Sequence, residues 1–170
     1  TQMDLVELGG FDALEIYNHH DEMQFRGGRA TVHWDSLLRR GRQVWGIASD
    51  NPEIYNSRSA GKAWIMAKVK ELTAPALAEA IADGRFYSTT GPEIHEFYLV
   101  DQEVFVKCSP VNSVCFRTLE PRGRAVFPAE GEAELTEARF TLKGGETYVR
   151  VECTDHLGRT AWSNPIFVKR

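Results

Sequence analysis

The chain has 170 residues, with 42% hydrophobic and 26% charged residues and a formal net charge of −4. That is ordinary globular composition, which excludes disorder, collagen and a simple coiled coil. The mild acidity gives no electrostatic footprint for nucleic acid, and no apolar run approaches the roughly 20 residues of a membrane-spanning helix. The chain opens Thr1-Gln2-Met3-Asp4, with neither an initiator methionine nor a signal peptide, and is read as starting partway through a longer protein.

In chain order, Ala13-Leu14-Glu15-Ile16-Tyr17 reads as a short strand, ended by the polar cluster Asn18-His19-His20-Asp21, and His19-His20-Asp21-Glu22 is read as a surface turn rather than a ligand set. Trp34, Leu37 and Leu38 give one face of a short helix between Thr31 and Arg40, with arginines at its end and Gly41 as its stop. Val44-Trp45-Gly46-Ile47-Ala48 is a near-continuous apolar run and fits a strand of a parallel sheet buried on both faces. A polar stretch from Ser49 to Gly61 follows. Ala63-Trp64-Ile65-Met66-Ala67 is a second expected buried strand. Thr73 is placed to cap a helix that reaches Asp83, with Pro75 in its first turn and Gly84 after its end. This alternation of strand and helix predicts an α/β layer over residues 1–96.

Beyond Glu96 the period changes to two. Val104, Val106 and Cys108 share one face of a strand, as do Val149, Val151 and Cys153. Further strands are expected at Val114–Thr118, Ala125–Phe127, Ala138–Leu142 and Ile166–Val168, separated by turns such as Pro121-Arg122-Gly123 and Lys143-Gly144-Gly145. Residues 97–170 therefore predict a small antiparallel β-sandwich of immunoglobulin-like kind. Of the three cysteines, Cys108, Cys115 and Cys153, none forms a Cys-x-x-Cys pair. Buried free thiols in a reducing compartment and a Cys108–Cys153 disulfide are the two readings, and distance decides between them.

Functional groups of α/β folds gather beyond the carboxyl ends of buried strands. Asp50 and Glu53, after the Val44–Ala48 run, are candidates for a hard cation or a base, against a solvated turn fixed by Pro52. The adjacent His19 and His20 point apart in an extended chain and do not suit one ion. Arg85 to Pro92 is rich in hydroxyls and suits an anion or a linker, without the spacing of a phosphate loop. Trp162 and Tyr148 would stack on a sugar only if exposed.

Five segments, Ala13–Asn18, Trp34–Gly41, Trp45–Asp50, Gly84–Pro92 and Ala161–Ile166, follow one another in an order that resembles the C-terminal portion of polymerase-and-histidinol-phosphatase (PHP) superfamily metallohydrolases, closest to the carbamate-hydrolase-like branch. The resemblance implies the C-terminal part of a PHP-type α/β barrel followed by the β-sandwich. It implies hydrolysis of a phosphate, carbamate or other small ester by water activated on two or three divalent ions (zinc, manganese or iron). The family's last metal motif, Asp-x-His, falls on Asn51 and Glu53, next to Asp50. Both ligand types are thus replaced, and Asn51, Glu53 and Asp50 are the expected metal positions, with the Asn51 carbonyl and the Glu53 carboxylate as poorer ligands than Asp and His for a zinc-type cluster. No His-x-His occurs in the chain. The resemblance makes Asn18, His20 and Arg85 the candidate substrate-binding residues. The chain alone is expected to be inactive and to need either a preceding segment or a second copy of itself. A non-catalytic binding or scaffold protein is the alternative, and the cytoplasm is the expected compartment.

Overall fold

The computed structural model describes residues 2–52 and 60–168, and the side chains of residues 2 and 3 are left aside. The chain folds as two compact units, Thr1–Thr90 and Gly91–Arg170.

The first unit contains α1 (Gln2–Glu7), β1 (Ala13–Asn18), α2 (His19–Phe25), α3 (Thr31–Arg39), β2 (Trp45–Ser49), β3 (Trp64–Ala67), α4 (Ala74–Ala82) and β4 (Phe86–Thr89). Strands β1 and β2 pair in parallel, with Ala13 opposite Trp45 and Asn18 opposite Ser49. Helix α3 lies over β1 and places the fully buried Trp34 at the centre of this unit. The indole Nε1 of Trp34 donates to the Val44 carbonyl at 2.7 Å, so its one polar atom is satisfied. The ring also dictates a glycine in β2. A Cβ at Gly46 would come within 2.7 Å of the Trp34 ring and 2.9 Å of Ile16.

The expected helices from Thr31 and Thr73 form. Thr73 caps α4 by accepting from the Ala76 N–H, and Gly84 ends it at φ 69°. Gly84 serves two purposes, because a Cβ there would also sit 2.6 Å from the Trp45 ring. Gly84→Ala therefore combines left-handed strain with overpacking. We expect a loss of about 2 kcal/mol in denaturant melts.

The α/β barrel expected for residues 1–96 is not formed. Among the described residues strand predominates over four short helices, and parallel pairing is confined to β1 and β2. Strands β3 and β4 run antiparallel, with Trp64 opposite Thr89 and Ala67 opposite Phe86. Strand β3 is not buried on both faces either, since Trp64 and Met66 are exposed. Apolar runs mark strands but carry no information on pairing direction. Strand β2 meets β4 through a side chain: Ser88 Oγ accepts from the Ala48 N–H at 2.9 Å and donates to the Gly46 carbonyl at 2.8 Å.

The second unit is all-β. Strands β5 (Ile94–Val100), β6 (Glu103–Val111) and β9 (Leu135–Thr141) form one antiparallel sheet. In the other, β10 (Tyr148–Thr154) pairs with β7 (Ser113–Arg117), β11 (Thr160–Ser163) and β12 (Ile166–Phe167), and β7 pairs with β8 (Arg124–Val126). The sheets face each other in a sandwich-like arrangement, and the Phe116 ring stacks on Phe140 at 5.3 Å between centroids. Alternate residues fill the space between them: Val104, Val106 and Cys108 from β6, Val149, Val151 and Cys153 from β10. None of the three cysteines is in a disulfide. The composition shift expected near residue 96 belongs to β5, which starts at Ile94.

Two buried carboxylates tie down the turns of this unit. Glu146 Oε1 accepts from the Lys143 N–H at 3.0 Å and lies 3.8 Å from Arg122 Nη1, while Arg122 also donates to the Gly144 carbonyl. Asp155 accepts from the N–H groups of Leu157 and Arg159, both at 2.9 Å, and from the Arg159 guanidinium at 2.7 Å. Burial pushes both carboxyls up, but these hydrogen bonds and the nearby arginines outweigh it and hold both below their ordinary values. A folded-state pKa below the unfolded one adds stability that is complete above the unfolded value and is lost as pH falls through the folded value. Denaturant midpoints should therefore be level near neutrality and fall below about pH 4. Arg159→Ala should flatten the part of that fall due to Asp155.

Candidate functional site

Parallel pairing of β1 and β2 brings the carboxyl ends of both strands together, so Asn18 and Ser49 are register partners. Three side chains interlock there. Glu15 Oε1 accepts from Ser49 Oγ at 2.5 Å, and Glu15 Oε2 accepts from Asn18 Nδ2 at 3.0 Å. Asn18 Oδ1 accepts from the Asp21 N–H at 3.0 Å, which makes Asn18 the N-cap of α2. The segment 19–22, expected as a surface turn, is therefore the first turn of α2. The spacing of Asn18 and Asp21 is a capping signal that was legible in the sequence.

His20 lies in the first turn of α2. Its N–H donates to the Asp50 carbonyl at 3.2 Å and its ring meets Phe25 edge-on at 6.4 Å. His19 Nδ1 is 3.3 Å from the Tyr17 hydroxyl. Burial raises the Tyr17 pKa, Arg29 beside it works against this and Glu22 adds to it, so Tyr17 remains a phenol at neutral pH.

Asp50 follows β2 directly and its carboxylate is occupied by backbone. Oδ2 accepts from the Gly61 N–H at 2.5 Å, while Oδ1 accepts from Lys62 and Ala63 at 2.7 and 2.5 Å. The side chain thus ties the residue after β2 to the three residues that precede β3. The sequence offered Asp50 as a cation ligand, a base or part of a solvated turn, and its actual partners, 11 to 13 positions away, were not readable from it. Asn51 is exposed and holds a left-handed φ of 43°. Glu53, the other expected metal position, lies outside the described residues.

Arg85 is not gathered into this site. It ion-pairs with Glu79 at 2.8 Å and Asp83 at 3.2 Å, and its neighbour Gly84 sits against Trp45, at the opposite end of β2 from Ser49. Trp162 and Tyr148 are both buried, so neither offers a face for a sugar.

Among the described residues no group of three or more His, Cys, Asp or Glu side chains could hold a metal ion. With Asp50 turned to backbone amides, the described donors do not fit a two- or three-metal centre, and no metal-dependent step is derived from them. The Glu15–Ser49 contact lacks an intervening imidazole to accept the hydroxyl proton, and Glu15 is already shared with Asn18. The pair orients Ser49 rather than activating it. Among the described residues no helix is long and apolar enough to cross a membrane. No family model, curated protein or solved structure gives a match to the chain.

Proposed function

We propose that this chain is the C-terminal portion of a PHP-type hydrolase of phosphate, carbamate or other small esters, and that it supplies substrate-side and positioning groups while metal ligands come from elsewhere in the complete protein. The observation that carries this reading is the meeting of Asn18, Ser49 and Asp50 at one end of a parallel strand pair, the location where such sites collect. The order of the five family-like segments supports it. In this proposal the half-buried His20 lies on the substrate side, and the buried Asn18, held by Glu15 and by the Asp21 N–H, positions the start of α2 that carries it. Arg85, held by Glu79 and Asp83 at the other end of β2, is left out of that role. Zinc, manganese or iron would be bound by the complete protein in the cytoplasm.

The coding sequence preceding Thr1 tests this directly. A His-x-His motif there, with esterase turnover once that segment and this chain are combined, is the expected result. Absence of the motif, or a combined protein without turnover, sinks the proposal.

The second reading is a non-catalytic binding or scaffold protein. The Asp50 carboxylate, committed to three backbone amides, is the observation that favours it. Elemental analysis of the complete protein separates the two, since this reading predicts no stoichiometric metal. Both readings involve a partner, either the preceding segment or a second copy. The exposed Trp64 and Met66 on β3 support association along that strand. Light scattering that finds only monomer across concentration counts against the second copy.

A further inference from the structure

A second cluster of side chains gathers at the carboxyl end of β1. The segment 28–30 runs beside that strand. The Asn18 N–H donates to the Gly28 carbonyl at 2.8 Å and the Ala30 N–H to the Ile16 carbonyl at 2.9 Å, which makes Tyr17 and Arg29 direct antiparallel partners. Gly28 is required for this approach, because a Cβ there would run into the Asn18 carbonyl. Directly opposed residues project to one face, so the Tyr17 and Arg29 side chains lie together, with the Arg29 guanidinium carbon 5.7 Å from the Tyr17 ring centre. The half-buried His19 joins them. Its Nδ1 is 3.3 Å from the Tyr17 hydroxyl, and the two ring centres are 6.2 Å apart.

Both cationic-type side chains keep hydrogen-bonding capacity to spare. Among the described residues the Tyr17 hydroxyl is the one polar partner of the His19 ring, which leaves Nε2 uncommitted. Arg29 gives its Nε to Glu22 Oε1 at 3.1 Å, and among the described residues its two terminal nitrogens are uncommitted too, on a side chain that is 54% exposed. Glu22 thus occupies one side of the guanidinium and leaves the terminal pair, whose fork matches two oxygens of a phosphoryl group. A phenol that donates to Nδ1 holds the imidazole as the Nε2–H tautomer, so that Nε2 becomes a donor. We propose that His19 Nε2–H and the terminal nitrogens of Arg29 bind the phosphoryl oxygens of an anionic ester, with Tyr17 as the positioning residue that fixes the His19 tautomer. The pair selects phosphate esters over neutral carbamates, which offer one carbonyl oxygen and no charge. That the bound ester is a substrate rests on the hydrolase reading above, whereas the phosphate binding itself does not.

The test follows the imidazole nitrogens of the full chain by NMR above neutral pH while inorganic phosphate is added, with methyl carbamate as the neutral control. The expected result is a His19 ring in the Nε2–H tautomer and a saturable phosphate-induced shift at His19 Nε2, with His33, His95 and His156 unmoved and no response to methyl carbamate. Tyr17→Phe should leave His19 as a mixture of tautomers, and Arg29→Gln should weaken phosphate binding about tenfold. A wild-type His19 that does not respond to phosphate, a response confined to His20, or a His19 tautomer unchanged in Tyr17→Phe would each overturn the proposal. The wild-type titration carries the main measurement, so a variant that fails to fold does not obscure it. The complete protein separates this inference from the hydrolase reading. An unchanged KM for a phosphate monoester in His19→Gln overturns the inference and leaves that reading standing. Phosphate bound at His19 in a complete protein without turnover does the reverse.

Discussion

Replacing Asp50 with alanine is expected to destabilise the first unit by about 3 kcal/mol, because three backbone N–H groups lose one charged acceptor. The cost is below the sum of three charge-assisted bonds, since the half-exposed site admits water to part of the gap. Asp50→Asn retains one acceptor oxygen and should lose about half as much. Chemical denaturation gives the magnitudes, and hydrogen exchange gives the location. Protection should fall at the amides of Gly61, Lys62 and Ala63 before it falls in α3. Unchanged exchange at these amides in Asp50→Ala would show that the carboxylate does not hold them.

The second large effect is at Glu152. Arg150 is fully buried on β10, and its Nη1 lies 2.8 Å from Glu152 Oε1. The other oxygen, Oε2, is 3.4 Å from Nε of Arg117 on the neighbouring strand. Glu152→Ala removes the carboxylate between two like charges and takes one charged partner from a buried guanidinium. Removing one partner of a buried pair costs about 3–5 kcal/mol. Replacing both charges should cost less, because much of the penalty lies in a buried charge that has lost this carboxylate. Arg150→Met combined with Glu152→Leu should therefore recover most of the stability lost by Glu152→Ala. A double mutant no more stable than the single one would mean that Arg150 is needed for its other contacts.

Local signals in the sequence carried the local structure well. Thr73 and Gly84 bracket α4, Trp34, Leu37 and Leu38 form the buried face of α3, and alternation placed Cys108 and Cys153 on the inner faces of their strands. Long-range choices were not legible. Nothing in Ala63–Ala67 distinguishes a strand that will lie antiparallel to β4 from one in a parallel barrel, and the exposure of Trp64 depends on what covers it. The Asp50 clamp was equally hidden, since an aspartate after a strand suits a metal, a base or a loop anchor alike. Only the positions of the Gly61–Ala63 amides select the last. At Asn18 the signal was present in the spacing to Asp21 and was outweighed by the polar composition of the segment.

The clamp role of Asp50 is tested most directly by titrating the chain with manganese or zinc while following hydrolysis of a chromogenic phosphodiester. A clamp predicts that this chain alone gives no saturable turnover with either metal, and that Asp50→Asn changes stability without creating or removing any activity. Stoichiometric metal binding accompanied by turnover, both abolished in Asp50→Asn, would contradict it and make Asp50 a ligand instead of a loop clamp.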